Sequence, residues 1–126
     1  MEAPLAPHDV APHGQGQVLA TLSNAIVGLY KDLYGKGPTK ARSYFLDDMV
    51  LCVLRGGLTQ AEQTLARSGK SSAVARQRHE YQEAVREDFV ATVEAIIGRR
   101  VTAFMSTVHV DPDLNIEIFM LEPRGD

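Results

Sequence analysis

The chain has 126 residues, one domain's length, and a net charge of −3 from 13 basic and 16 acidic side chains. Apolar residues make up 44% and charged ones 23%, which excludes a collagen-like, low-complexity or wholly disordered chain. The longest uninterrupted apolar run is the six residues Met49 to Leu54, far short of the ~20 that a membrane-spanning helix takes.

Residues 1–16 read as a tail. Pro4, Pro7 and Pro12 punctuate it, and it lacks the apolar periodicity needed to offset its ordering entropy. It has neither the basic start nor the continuous apolar core of a signal peptide. His8 and His13 read as solvated tail side chains rather than a metal pair. The folded domain is expected over residues 17–123.

A helix is predicted over Gln17–Tyr34. Leu22, Ala25, Ile26, Leu29, Tyr30 and Leu33 recur at helical spacing, and Gly35 sits where a left-handed C-cap belongs. Residues 39–46 then alternate loosely, and Met49–Leu54 is continuously apolar, as in a strand central to a sheet. Asp47-Asp48 between them makes a turn, so the pair reads as a hairpin. Thr59-Gln-Ala-Glu62 matches a capping box and opens a short helix over about 59–68. Ser71 or Ser72 is expected to cap the next helix, which runs to Ile97. Val74, Tyr81, Val85, Phe89, Val93, Ile96 and Ile97 form its inner face. Such a helix is ~40 Å long, about the width of the domain. It therefore crosses the whole sheet, breaks near its polar start, or extends into a partner chain. Two more alternating stretches, Arg100–Val110 and Asn115–Leu121, flank the turn Asp111-Pro-Asp113, whose carboxylates are expected to close local hydrogen bonds. The fold class is α+β: a single domain in the order α-β-β-α-α-β-β, with a four-stranded, mostly antiparallel sheet and helices on one face.

The segment Gly35-Lys-Gly-Pro-Thr-Lys-Ala-Arg42 is the candidate site. Lys36, Lys40 and Arg42 place cations beside the hydroxyl of Thr39, on a backbone made irregular by Gly37 and Pro38. Cations with exposed backbone N–H groups suit a phosphate, a carboxylate or an acidic partner surface. The same residues also make a helix C-cap followed by a solvated basic turn. Arg99-Arg100 complement a helix dipole or extend a basic patch with Arg55.

Gly69-Lys70-Ser71 lacks the upstream glycine and strand of a Walker A loop. Glu80, Glu83, Glu87 and Asp88, interleaved with Arg76, Arg78 and Arg86, read as a charged outer helix face, with Glu83 and Arg86 spaced to pair. His79 and His109 stand alone, without metal-ligand spacing. The single cysteine, Cys52, reads as a buried small hydrophobe. It leaves no internal disulfide framework or cysteine-rich zinc site, and it fits a reducing, cytoplasmic location. No nucleophile, acid–base pair or metal set converges, so no enzymatic activity, metal or cofactor is expected. The mild acidity argues against a nucleic-acid coat protein.

As a block, Asn24–Tyr30, Gly35–Tyr44, Val50–Leu54, Leu58–Glu62, Ile97–Val101 and Ile118–Pro123 resemble the MpsC family. This is a bacterial domain family of unknown function, named for a Na+-translocating, membrane-potential-generating system. The resemblance covers about Gln17 to Pro123, and GPTKAR is its most specific part. It implies an accessory or regulatory protein that binds a protein partner, a membrane transport component. The expected form is a homodimer in the cytoplasm, beside the inner face of the membrane. No catalytic residue is carried over with it.

Overall fold

The computed structural model describes residues 15–124. Residues 1–14, including His8 and His13, lie outside the described residues, whereas Gln15 and Gly16, expected at the end of the tail, belong to the first helix. Helix α1 spans Gln15–Tyr34, and its stripe Leu22, Ile26 and Tyr30 is fully buried. Gly35 ends it at φ +83°, donating its N–H to the Lys31 carbonyl at 3.1 Å.

The strands are β1 (Lys40–Leu46), β2 (Met49–Arg55), β3 (Val101–His109) and β4 (Leu114–Leu121). They form one sheet in the order β1-β2-β4-β3. Every neighbouring pair is antiparallel, so the two hairpins meet through β2 and β4. The apolar run of β2 is central, as its composition implied. A register shift between Val101 and Ala103 sets the start of β3.

Three helices fill the middle of the chain: α2 (Gln60–Arg67), α3 (Ser71–Ala84) and α4 (Arg86–Ile97). The capping box forms in full. Glu62 N–H donates to Thr59 Oγ1 at 3.2 Å, and Thr59 N–H donates to Glu62 Oε1 at 2.8 Å. Ser71 is the first residue of α3 rather than its cap. The cap is Lys70, which makes no side-chain bond to the helix.

The long helix expected over 71–97 is two helices, divided at Val85 and not near the polar start. No proline or glycine stands there. Val85 takes φ −105° and ψ 10°, and the next bond, from Asp88 N–H to the Val85 carbonyl, is a tighter three-residue one. A straight helix of ~40 Å would overshoot so small a sheet. The bend keeps Val85, Phe89 and Val93 in the core while α3 packs on α2 and β3. Arg86, expected to pair with Glu83, instead has its guanidinium 5.3 Å from the Phe104 ring centre. Gly98 closes α4 in the left-handed region at φ +76°.

The core lies between the helices and one sheet face. Val50, Cys52, Leu54, Phe104, Phe119 and Leu121 point into it from the strands. Phe104 stacks on Phe119 at 4.6 Å and on Phe89 at 6.0 Å. Burial pushes the Cys52 thiol up to about 11, so it stays a protonated, inert member of this core.

Candidate functional site

The basic loop is pulled in two directions. The Lys36 ammonium donates to the Leu58 carbonyl at 3.0 Å, and Pro38 is buried. Gly37 runs close to α1, where a Cβ would stand 3.1 Å from Val27 Cγ1. Thr39 donates both its N–H (2.8 Å) and its hydroxyl (3.2 Å) to the Arg55 carbonyl. Lys40 and Arg42 instead project from the opposite side of β1, exposed, with Lys40 in register with Arg55 and Arg42 5.7 Å from the Tyr44 ring centre. The six residues therefore do not converge on one point. Lys36 and Thr39 line a 460 Å³ cleft with Arg67, Asp111 and Asp113.

Asp113 does not close the local turn as expected. Its carboxylate accepts from Gly57 N–H at 3.2 Å and Leu58 N–H at 3.0 Å, tying the β3–β4 turn to the loop before α2. Arg99 does not join Arg55 either. It pairs with Asp48 at 2.6 Å and donates to the Glu122 carbonyl at 2.7 Å, at the other end of the sheet.

The second feature is the outer face of the sheet. Strand β4 turns its polar residues inward, with Asn115 and Glu117 buried beside Phe119 and Leu121. Ile116, Ile118 and Met120 consequently face away from the helices, in register with Val53, Leu51 and Met49 of β2. Tyr44, Leu46 and Met105 extend this apolar surface and are 40%, 38% and 50% exposed. A solvated sheet face alternates the other way, polar out and apolar in.

The third feature is a buried polar network that the sequence reading placed on an outer helix face. Arg78 is 1% exposed. It lies one turn from Val74 and one from Gln82 on the inner stripe of α3, the place expected for Tyr81. Its Nε and Nη2 each reach a Glu62 oxygen at 2.7 Å, and Nη2 also donates to the Gly57 carbonyl at 3.0 Å. Its guanidinium lies 4.2 Å from the Tyr34 ring centre. Burial favours the neutral Glu62 carboxyl, but the bonds from Arg78 and Thr59 outweigh it and hold the group below the usual carboxylate range. Tyr81 stands at the rim, 39% exposed, its hydroxyl donating to the Leu33 carbonyl.

On the far side of Tyr30 lies Glu117, fully buried, which accepts from the Tyr30 hydroxyl. Burial raises its carboxyl above the usual range, against the opposing pull of Ser106, Tyr30 and Arg78. The sequence signal for this network was present: positions 78 and 82 fall on the same helical row as Val74 and Val85, so that row must bury polar groups. Among the described residues no group of three or more His, Cys, Asp or Glu side chains could hold a metal ion.

No helix among the described residues is long and apolar enough to cross a membrane. No solved structure matches the chain. An uncharacterized protein of Bacillus subtilis (strain 168), YrhF, is 24% identical over 100 residues, covering 78% of this chain and 82% of that protein. The family model described as "Na+-translocating membrane potential-generating system (MpsC)" matches residues 14–123, almost the whole described fold. The chain belongs to the MpsC family.

Proposed function

We propose that the protein is an accessory or regulatory component of a membrane Na+-translocating, potential-generating system, and that it acts by partner binding as a homodimer in the cytoplasm. The family description supplies the system. One observation supports binding through a surface: β4 buries Asn115 and Glu117 and presents Ile116, Ile118 and Met120 outward. An apolar face of this kind marks an interface.

A second copy of the chain suits it best. Four strands ~4.8 Å apart, with ~3.3 Å per residue, give a face of roughly 500 Å² in projection, and side-chain relief adds to that. A standard interface takes ~800 Å² per partner, so nearly the whole face must be covered. Another sheet of the same size, packed ~10 Å away, covers it fully. Lys40, Arg42 and Arg55 lie at one end of the face and Asp47 at the other. A two-fold axis across the strands brings unlike ends together.

The transport role has its own test. A tagged chain expressed in its native host should recover a membrane ion-transport component from solubilised membranes. It should fail to do so when Lys36, the loop cation that lies off the sheet face, is replaced by Glu. Recovery of no transport component, or recovery that the charge reversal leaves unchanged, contradicts that role.

A second reading is a small-anion module beside the basic loop. Lys36, Thr39 and Arg67 favour it by lining one open cleft. Phosphate or a small carboxylate at ~100 times its Kd should stabilise the protein by ~2.7 kcal/mol. Lys36→Ala and Arg67→Ala should abolish the effect. No thermal shift across such a panel removes this reading.

A further inference from the structure

A different cleft opens between the end of α1, α2 and α3. Its volume is 300 Å³, at the small end of ligand sites. Leu33, Leu65, Tyr34 and Tyr81 give it apolar walls, and Arg78 and Glu62 are its charged members. The tyrosine rings meet at 4.8 Å with 62° between their planes. The Arg78 guanidinium lies 4.2 Å from the Tyr34 ring centre, and Tyr30 stacks on the same ring at 4.9 Å.

The polar bookkeeping at this cleft is one-sided. Both Glu62 oxygens are committed, one to Arg78 Nε, the other to Arg78 Nη2 and Thr59 N–H. Arg78 Nη1, the Tyr34 hydroxyl and Gln82 Nε2 are all buried, and the Gln82 amide lies against the Tyr34 hydroxyl, so Arg78 Nη1 is the donor left, among the described residues, without any protein neighbour to accept from it. All three are donors. Burial pushes the Tyr34 hydroxyl up to about 12, so it keeps its proton at neutral pH. The Arg78–Glu62 pair is already neutral overall, so the missing group is an acceptor and need not carry a full charge.

We propose that this cleft binds a small, flat aromatic molecule bearing a carbonyl or carboxylate oxygen, the ring against Tyr34 and Tyr81 and the oxygen on Arg78 Nη1 and the Tyr34 hydroxyl. Tyr81 and Gln77 stand exposed on the rim of the cleft. The proposal is independent of the sheet face and of the basic loop.

The test uses benzoate, benzamide and toluene as probes on the full chain, read by saturation-transfer NMR and titration of tyrosine ring signals. Benzoate or benzamide should bind saturably, with toluene weaker by ~10-fold or more, since it leaves buried donors unpaired. Ala61→Trp and Gln77→Trp, at exposed lining positions of α2 and α3, should each abolish binding while far-UV circular dichroism and the melting temperature stay unchanged. The proposal is overturned by absence of saturable binding of both oxygen-bearing probes, by toluene binding as tightly, or by binding that survives both tryptophans. Should one tryptophan variant fail to fold, the other and the toluene comparison still decide the question.

Discussion

Arg78 and Glu117 occupy positions that apolar residues fill in most helices and strands of this size. Removing one member of a buried ion pair leaves the other uncompensated, so Glu62→Ala should cost ~3–5 kcal/mol in denaturant unfolding. Glu62→Leu with Arg78→Met should recover most of that loss. The Glu62 carboxyl is lower in the folded state than in the unfolded chain. Its stabilisation is therefore full above the ordinary Glu value of ~4.3 and lost as pH falls below it. Glu117 has the opposite sign, because its folded-state carboxyl is raised. It contributes most below ~4.3, and that contribution fades as pH rises through the raised value. Glu117→Gln keeps a hydrogen-bonding group for Tyr30 and cannot ionise. Its melting temperature should exceed the parent's at pH 7, with the gain vanishing towards pH 4. Glu62 was legible in the sequence only as half of a capping box, since local spacing says nothing of a partner 16 residues away.

At the scale of elements, one glycine carries a clear prediction. Gly56 sits at φ +76°, and a Cβ there would stand 2.3 Å from Thr39 Oγ1. Gly56→Ala should destabilise by more than ~1 kcal/mol and loosen the start of β1, which amide hydrogen exchange at Thr39 would report. The elements themselves were legible because each carries its own period or cap: the α1 stripe, the apolar β2, the capping box of α2 and the glycine ending α4. The division at Val85 was not legible. Val74, Arg78, Gln82, Val85, Phe89 and Val93 form one unbroken row, and no breaker interrupts it. Only the limited width of the sheet demands the bend. The basic loop was legible as a cluster of residues, but the β1 alternation that sends Arg42 outward and the Leu58 carbonyl that draws Lys36 aside are tertiary facts.

The whole molecule is a two-layer domain, one sheet with its helices. Helices cover one face of the sheet, and the opposite face carries the isoleucines and methionines of β4 and β2. Alternation in β4 showed two faces, and nothing local to the strand told which of them the helices would take. Sedimentation velocity tests the central claim most directly. At tens of micromolar the protein should sediment at twice its 13.8 kDa chain mass. The double variant Leu51→Glu/Ile118→Glu should sediment at 13.8 kDa with unchanged far-UV circular dichroism. A parent that remains a 13.8 kDa monomer, or a folded double variant that still dimerises, contradicts the account.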